Sequence, residues 1–208
     1  MLLLIDCVIK LLIFDIGGVL IDFTETAYVH YLRTNFMPGA NERELWDFVN
    51  PLISVMEYGK LRVPELERMV AKHFGRDKLD MHWVQGWREI AEPKDDVIGL
   101  VNKLSDDYKV VLLSNVSQSR FAEMRRSYLK RVKAKDVYVS YDIELRKPEP
   151  AIYRYVLHEE GVRPGEAVFV DNQIENVIGA EKEGIASIWF RDYDKLVRDL
   201  KRFGVSVP

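Results

Sequence analysis

The sequence predicts an α/β protein with a doubly wound, mostly parallel sheet and a helical segment inserted after the first strand. Three observations support this prediction. Short, continuous apolar runs recur along the chain, as expected for strands that are buried on both faces. Patterns with helical spacing separate most of these runs, which is typical of repeated strand–helix–strand units. Residues 23–92 contain helical patterns and no convincing strand.

Five segments are predicted to be strands. The first is residues 9–15, which are rich in isoleucine and leucine. The other four are "KVVLLSN" (109–115), the weaker "DVYVS" (136–140), "AVFVDN" (167–172) and "ASIWF" (186–190). Continuous apolar runs of this length favour the interior of a parallel sheet, where both faces of each strand are covered.

Three helices are predicted between these strands. Residues 95–105 carry Val97, Leu100, Val101 and Leu104 at helical spacing. Residues 150–161 follow the same spacing and end at Gly161, and residues 174–184 end at Gly184, as helices commonly do.

The segment 23–92 is predicted to form a second, helical domain. Its four helical patterns are residues 25–36, 41–57, 64–74 and 81–91. We therefore expect residues 1–22 and 93–208 to form the α/β core domain, with hinges near residues 21–23 and 92–95. Most aromatic side chains of the insertion are expected to form the core of the helices.

Composition limits the kinds of partner that we expect. The chain has 208 residues, 30 lysines and arginines, 33 aspartates and glutamates, and a net charge of −3. A basic face for nucleic acid is therefore not expected. The apolar start is interrupted by Asp6 and Lys10 and lacks the features of a signal peptide or a membrane span, so we expect a cytoplasmic protein. Cys7, the single cysteine, is expected to be a buried thiol.

Polar side chains follow the predicted strands at the points where these strands end. In an open parallel sheet, ligands bind beyond the carboxyl ends of the strands. The polar residues at or just after these ends are Asp15, Ser114, Asn115, Lys147, Asp171 and Asn172.

Each of these residues also has a purely structural interpretation. Ser114 or Asn115 could cap the helix that follows, as could Asp171 or Asn172, while Asp15 could close a turn and Lys147 could be a surface lysine. Together, however, two carboxylates, a hydroxyl and a lysine supply a nucleophile, metal ligands and donors for a phosphoryl group. The set therefore indicates phosphoryl transfer.

The chain resembles the haloacid dehalogenase-like (HAD) hydrolase superfamily over almost its whole length. Four motifs carry the resemblance, in order: "IFDIGGVLID", "VVLLSN", "RKPEPAIY" and "VFVDNQIENVIGA". The resemblance implies a Rossmann-like core domain, and it implies that residues 23–92 are a helical cap that closes over the site and selects the substrate. It does not name the substrate.

The resemblance also implies a role for each matching residue. Asp15 would be the nucleophile, forming an aspartyl-phosphate, and also a Mg²⁺ ligand. The backbone carbonyl of Gly17 and the carboxylate of Asp171 would be further metal ligands. Ser114 would hydrogen-bond the transferring phosphoryl group, and Lys147 would neutralise the nucleophile and the phosphate.

Four further residues are expected to support this site. Gly18 and Asn115 are predicted to contact the substrate phosphate. Asn172 and Asn176 are predicted to lie just behind the metal ligands. Asn172 stands where a second aspartate is common in the family, so we expect weaker Mg²⁺ binding with the coordination preserved.

Gly17 is a second departure from the family pattern. Most phosphatases of the superfamily have an aspartate there, which protonates the leaving group and later activates water. Glycine keeps the backbone carbonyl but cannot transfer a proton, and such transfer is typically worth about 10²- to 10⁴-fold in rate. Some sugar-phosphate phosphatases of the superfamily share the aspartate–apolar–glycine order.

The expected function is a Mg²⁺-dependent phosphatase that acts on a small phosphomonoester, with a sugar phosphate as one candidate. Two alternatives remain open: a metal-independent 2-haloacid dehalogenase and a catalytically weak or silent binding protein. Asp171 favours the phosphatase, because dehalogenases of the superfamily usually lack an acidic residue in the fourth motif. The partner is expected to be a small-molecule phosphate ester, and the protein a monomer or small homo-oligomer.

Overall fold

A computed structural model describes residues 8–77, 79 and 83–208 of the chain. The predicted buried Cys7 and the first two residues of the predicted helix 81–91 lie outside this range. None of the described helices is both long enough and apolar enough to cross a bilayer.

The described residues form seven strands, and five of these strands make up the main sheet. The strands are β1 (Leu11–Phe14), β2 (Ile21–Asp22), β3 (Glu92–Pro93), β4 (Lys109–Ser114), β5 (Asp136–Val139), β6 (Ala167–Asp171) and β7 (Ala186–Trp189). The main sheet has the order β5-β4-β1-β6-β7, and every pair in it is parallel. The predicted fold class and all five predicted strands are therefore confirmed.

Ten helices accompany the strands in the described part of the chain. They are α1 (Glu25–Phe36), α2 (Glu42–Glu57), α3 (Val63–His73), α4 (Trp83–Ile90), α5 (Asp95–Leu104), α6 (Gln118–Ser127), α7 (Ser140–Ile143), α8 (Pro150–Glu160), α9 (Ile174–Lys182) and α10 (Tyr193–Arg202). Gly161 follows α8 with φ 65°, the left-handed conformation in which glycine ends a helix at little cost.

The main sheet is covered by apolar side chains on both faces. Leu12 and Phe14 of β1 belong to a cluster that includes residues of α5 and α10, whereas Leu11 and Ile13 belong to a second cluster with residues of α8. Successive strand residues point to opposite faces, so the continuous apolar run of β1 serves both clusters.

Helices α1–α4 lie between β2 and β3 and have an apolar cluster of their own. Its buried residues include Tyr28, Leu45, Leu66 and Trp87, from four different helices. Strands β2 and β3 pair antiparallel, Ile21 with Pro93, where the hinges are predicted. The division into a core domain (1–22 and 93–208) and a helical cap (23–92) stays a prediction.

Candidate active site

The register of the main sheet brings the ends of three strands together. Phe14 of β1 pairs with Leu112 of β4 and with Val170 of β6. The backbone N–H of Asp15 continues this pairing by donating to the Val170 carbonyl (N···O 2.9 Å). Asp15, Ser114 and Asp171 therefore all lie at the carboxyl edge of the sheet, at its central strands.

Lys147 is buried between the two aspartates. Its Nζ lies 2.9 Å from Oδ1 of Asp15 and 2.6 Å from Oδ2 of Asp171, and it donates to the Leu113 carbonyl at 2.9 Å. The exposed fraction is 1% for Lys147, 6% for Asp15 and 0% for Asp171. One buried cation thus contacts two buried carboxylates.

The pKa values of this group follow from its burial. Burial raises the pKa of Asp15; Lys147 opposes the increase and Asp171 adds to it, and the net change is from 3.8 to about 6. Burial lowers the pKa of Lys147, but the two carboxylates outweigh this effect and hold it above its ordinary value. At neutral pH the lysine is therefore charged and the Asp15 carboxylate is ionised.

Asn115 holds the loop that carries Lys147. Its Nδ2 donates to the Lys147 carbonyl (2.8 Å), and its Oδ1 accepts from the Lys147 backbone N–H (2.9 Å). The Lys147–Pro148 peptide bond of this loop is cis. Asn115 therefore has a structural role, and it also lines the cavity. Its contact with the substrate phosphate stays a prediction.

Asp171 is held in place by Asn176 of α9 and by Gln173, the residue that directly precedes this helix. The Asn176 amide donates to its Oδ2 (3.0 Å), and the backbone N–H of Gln173 donates to its Oδ1 (2.8 Å). Asn176 therefore contacts Asp171 directly. Its role with respect to a metal stays a prediction.

Gly18 and Asn172 are in close contact. Gly18 has φ 79°, and a Cβ placed on it would lie 2.2 Å from Nδ2 of Asn172. Its backbone N–H donates to the Ile21 carbonyl (2.7 Å), which closes the turn after β1. A side chain at position 18 would thus be strained and would displace Asn172.

The donors at the sheet edge suit a hard cation. Within residues 8–77, 79 and 83–208, no group of three His, Cys, Asp or Glu side chains is arranged to hold a metal ion. The oxygen donors at this edge are the carboxylates of Asp15 and Asp171, which lie on either side of Lys147, and Gly17 lines the same cavity as Asp15. Mg²⁺ is usually bound by one or two carboxylates and keeps several waters, so this set fits Mg²⁺.

A cavity of about 470 Å³ opens above the sheet edge. On the sheet side it is lined by Asp15, Gly17, Gly18, Ser114, Asn115 and Lys147. Helices α1, α2 and α4 contribute Tyr28, Trp46, Asn50, Ser54 and Trp87 to the opposite side. Ser114 is 3% exposed and lines the cavity.

Residues 9–184 match the protein family described as haloacid dehalogenase-like hydrolase. The chain belongs to this family. It is therefore a HAD-like hydrolase, as the four sequence motifs predicted.

Individual relatives agree with this assignment. The chain is 26% identical over 189 residues to the D-ribitol-5-phosphate phosphatase of Bacteroides thetaiotaomicron, covering 83% of this chain and 88% of the relative. It is 24% identical to the pyrophosphatase PpaX of Bacillus cereus, covering 85% and 80%. A crystal structure of a HAD family enzyme from Bacteroides thetaiotaomicron, in complex with magnesium and inorganic phosphate, has a TM-score of 0.77 at 23% identity, with 90% of this chain and 98% of that chain covered.

Several residues of this HAD-like hydrolase site were not predicted from the sequence. Arg120 on α6 lines the cavity, as do Glu57 of α2 and Arg146, which directly precedes Lys147. Tyr28 and Trp87 were expected to be core residues, and they both pack in the helical cluster and line the cavity. The position of Arg146 next to the motif lysine was the one available signal.

The C-terminal end of α2 is attached to the loop around Lys147. The Arg146 Nε donates to Oε2 of Glu57 at 2.7 Å. We call the pairs at this contact the α2 anchor: Glu57 with Arg146, Tyr58 with Glu149, and Lys60 with Glu144. Gly59 lies within the anchor, where a Cβ would be 2.6 Å from the Tyr141 carbonyl.

Gly179→Ala is expected to destabilise the protein by about 1–3 kcal/mol, because a Cβ there would lie 2.8 Å from the Pro148 carbonyl in the lysine loop. Gly99→Ala in α5 is the matched control. A Cβ added at Gly99 would meet no atom of another element within 4 Å, so this variant should gain roughly 0.5–1 kcal/mol. Urea unfolding of both variants measures the difference, and equal free energies of unfolding would contradict the contact.

Proposed function

We propose that this HAD-like hydrolase is a Mg²⁺-dependent phosphatase that hydrolyses a small phosphomonoester through an aspartyl-phosphate on Asp15. The observation that carries the proposal is the buried contact of Lys147 with Asp15 and Asp171 at the floor of the cavity. The phosphatase names of two relatives support it.

Asp15 is the proposed nucleophile. Its carboxylate attacks phosphorus, the bond to the ester oxygen breaks, and water then hydrolyses the aspartyl-phosphate. Lys147 keeps this carboxylate ionised and close to the phosphate, because its ammonium lies 2.9 Å from Oδ1. The Ser114 hydroxyl donates a hydrogen bond to a phosphoryl oxygen, and Gly18 and Asn115 contact the phosphate.

Mg²⁺ is the proposed cofactor. Asp15, the Gly17 carbonyl and Asp171 would hold it, with Asn172 and Asn176 behind them. Such an ion offsets negative charge on the phosphoryl oxygens. Asn176 fixes Asp171 through its amide, so the orientation of that ligand depends on a residue of α9.

Helices α1–α4 are proposed to act as the cap that selects the substrate. Their part of the cavity combines the aromatic Trp46 with the polar, uncharged Asn50 and Ser54. Amide and hydroxyl groups beside an aromatic ring suit a polyhydroxylated leaving group. A sugar or sugar-alcohol phosphate is therefore the proposed substrate class, and we propose a cytoplasmic monomer or small homo-oligomer.

A panel of sugar phosphates, sugar-alcohol phosphates, pyrophosphate and 2-haloacids tests the function. We expect phosphate release with Mg²⁺ and a rate at least about 100-fold lower in EDTA, because the loss of metal charge costs several kcal/mol of transition-state stabilisation. Halide release that persists in EDTA would identify a dehalogenase. Release of neither product would identify a binding protein.

A further inference from the structure

The guanidinium of Arg120 is held between two aromatic rings at the edge of the cavity. Its Cζ lies 4.0 Å from the ring centroid of Phe23 and 3.6 Å from that of Trp87. The two rings meet edge to face at 4.4 Å, and Tyr28 stacks on Trp87 at 4.3 Å. Cation–π contacts with two mutually packed rings restrict where this cation can lie.

Arg120 lies beside Gly17. A Cβ built on Gly17 would be 3.6 Å from Nη2 of Arg120 and 3.1 Å from Cε1 of Phe23. The space that a side chain at position 17 would enter is therefore bordered by a cation and a ring. Asp15, Gly17 and Arg120 all line the same cavity.

The departing ester oxygen needs a group that stabilises its developing negative charge. The attacking and leaving oxygens are roughly in line through phosphorus, so the ester oxygen points away from Asp15. Lys147 and Ser114 lie at the Asp15 end. Among the described residues that line the cavity, the carboxyl groups are those of Asp15 and Glu57, and Glu57 accepts a hydrogen bond from Arg146 at 2.7 Å.

We propose that Arg120 stabilises the leaving-group oxygen by charge and hydrogen bonding, in place of a side-chain acid at position 17. This inference rests on the proposed phosphatase function. Asp15 forms a bond to phosphorus while the bond from phosphorus to the ester oxygen breaks, and the electron pair goes to that oxygen beside the guanidinium.

One water molecule supplies both the proton for the leaving group and the hydroxide for the second step. The alkoxide takes a proton from a water molecule, and the hydroxide that results attacks the aspartyl-phosphate. The carboxylate of Asp15 is regenerated, and the products are the alcohol and hydrogen phosphate. Arg120 keeps its proton throughout, as expected for a guanidinium.

Arg120→Met tests this role with esters whose leaving groups differ in acidity. The expected loss in kcat is about 100-fold for a sugar-alcohol phosphate, the typical effect of removing one donor to a developing oxyanion. p-Nitrophenyl phosphate should lose only a few-fold, since nitrophenolate needs little stabilisation. Arg120→Lys keeps the charge and should recover at least about a tenth of the wild-type kcat with the alkyl ester.

Arg125→Met is the matched control, because Arg125 is an exposed residue of the same helix. It should keep wild-type kcat with both esters. An equal loss of kcat for both esters in Arg120→Met, or a change in KM alone, would overturn the inference while leaving the phosphatase function standing. A wild-type protein that releases phosphate from neither ester would overturn the proposed function and this inference with it.

Discussion

Lys147→Met is expected to destabilise the folded protein by about 3–5 kcal/mol and to abolish phosphate release, because it leaves two buried carboxylates without their cation. Lys147 contacts Asp15 at 2.9 Å and Asp171 at 2.6 Å, and all three residues are buried. Urea unfolding in EDTA measures the stability, and phosphate release in Mg²⁺ measures the activity.

Lys133→Met provides the control for removal of a lysine. Lys133 pairs with Asp106 at 3.3 Å, and both side chains are more than 60% exposed. Such a surface pair is typically worth about 0–1 kcal/mol. A Lys147→Met variant as stable as Lys133→Met would show that the buried contact does not contribute as proposed.

Asp15→Asn is expected to lower phosphate release by at least about 10³-fold, because an amide cannot attack phosphorus in place of the carboxylate. The side chain keeps its size, so the fold should be preserved. A variant that releases phosphate with a kcat near that of the wild type would exclude Asp15 as the nucleophile, provided that the rate exceeds that of any contaminating phosphatase. Circular dichroism of the variant checks that the loss does not arise from unfolding.

The same variant should be more stable than the wild type in EDTA at neutral pH. The pKa of Asp15 is raised from 3.8 to about 6 on folding, chiefly by burial, so the folded state binds this proton more tightly than the unfolded chain. The ionised carboxylate therefore lowers the free energy of unfolding above pH 6. The advantage of Asp15→Asn should disappear as the pH falls to about 4; an advantage that does not change with pH would contradict this account.

The main sheet was predictable because burial on both faces requires continuous apolar strands. Strands β2 and β3 and helix α10 are among the elements that were not predicted. Strands β2 and β3 have two residues each, too few to produce a periodic pattern. Helix α10 was left unassigned, although Asp192 caps its start and Leu196 and Leu200 are buried at helical spacing.

The strand-end residues of the site were predictable for a geometric reason. Parallel strands end at a common edge, so Asp15, Ser114 and Asp171 had to lie close together once the strands were assigned. Arg120 was not predictable, since its contacts with Phe23 and Trp87 join segments that are distant in sequence. Only the three-dimensional structure brings such residues together.

Different parts of helix α2 line the cavity and attach the helix to the loop around Lys147. Trp46, Asn50 and Ser54 face the cavity, whereas the α2 anchor at its C-terminal end joins it to the lysine loop through Glu57 and Arg146. If α2 helps to select the leaving group, as proposed, substitutions in its earlier turns should alter which leaving group is accepted while the helix stays attached. Under the proposed function, evolution of a new substrate preference has a route that leaves Asp15, the proposed nucleophile, and Lys147 undisturbed.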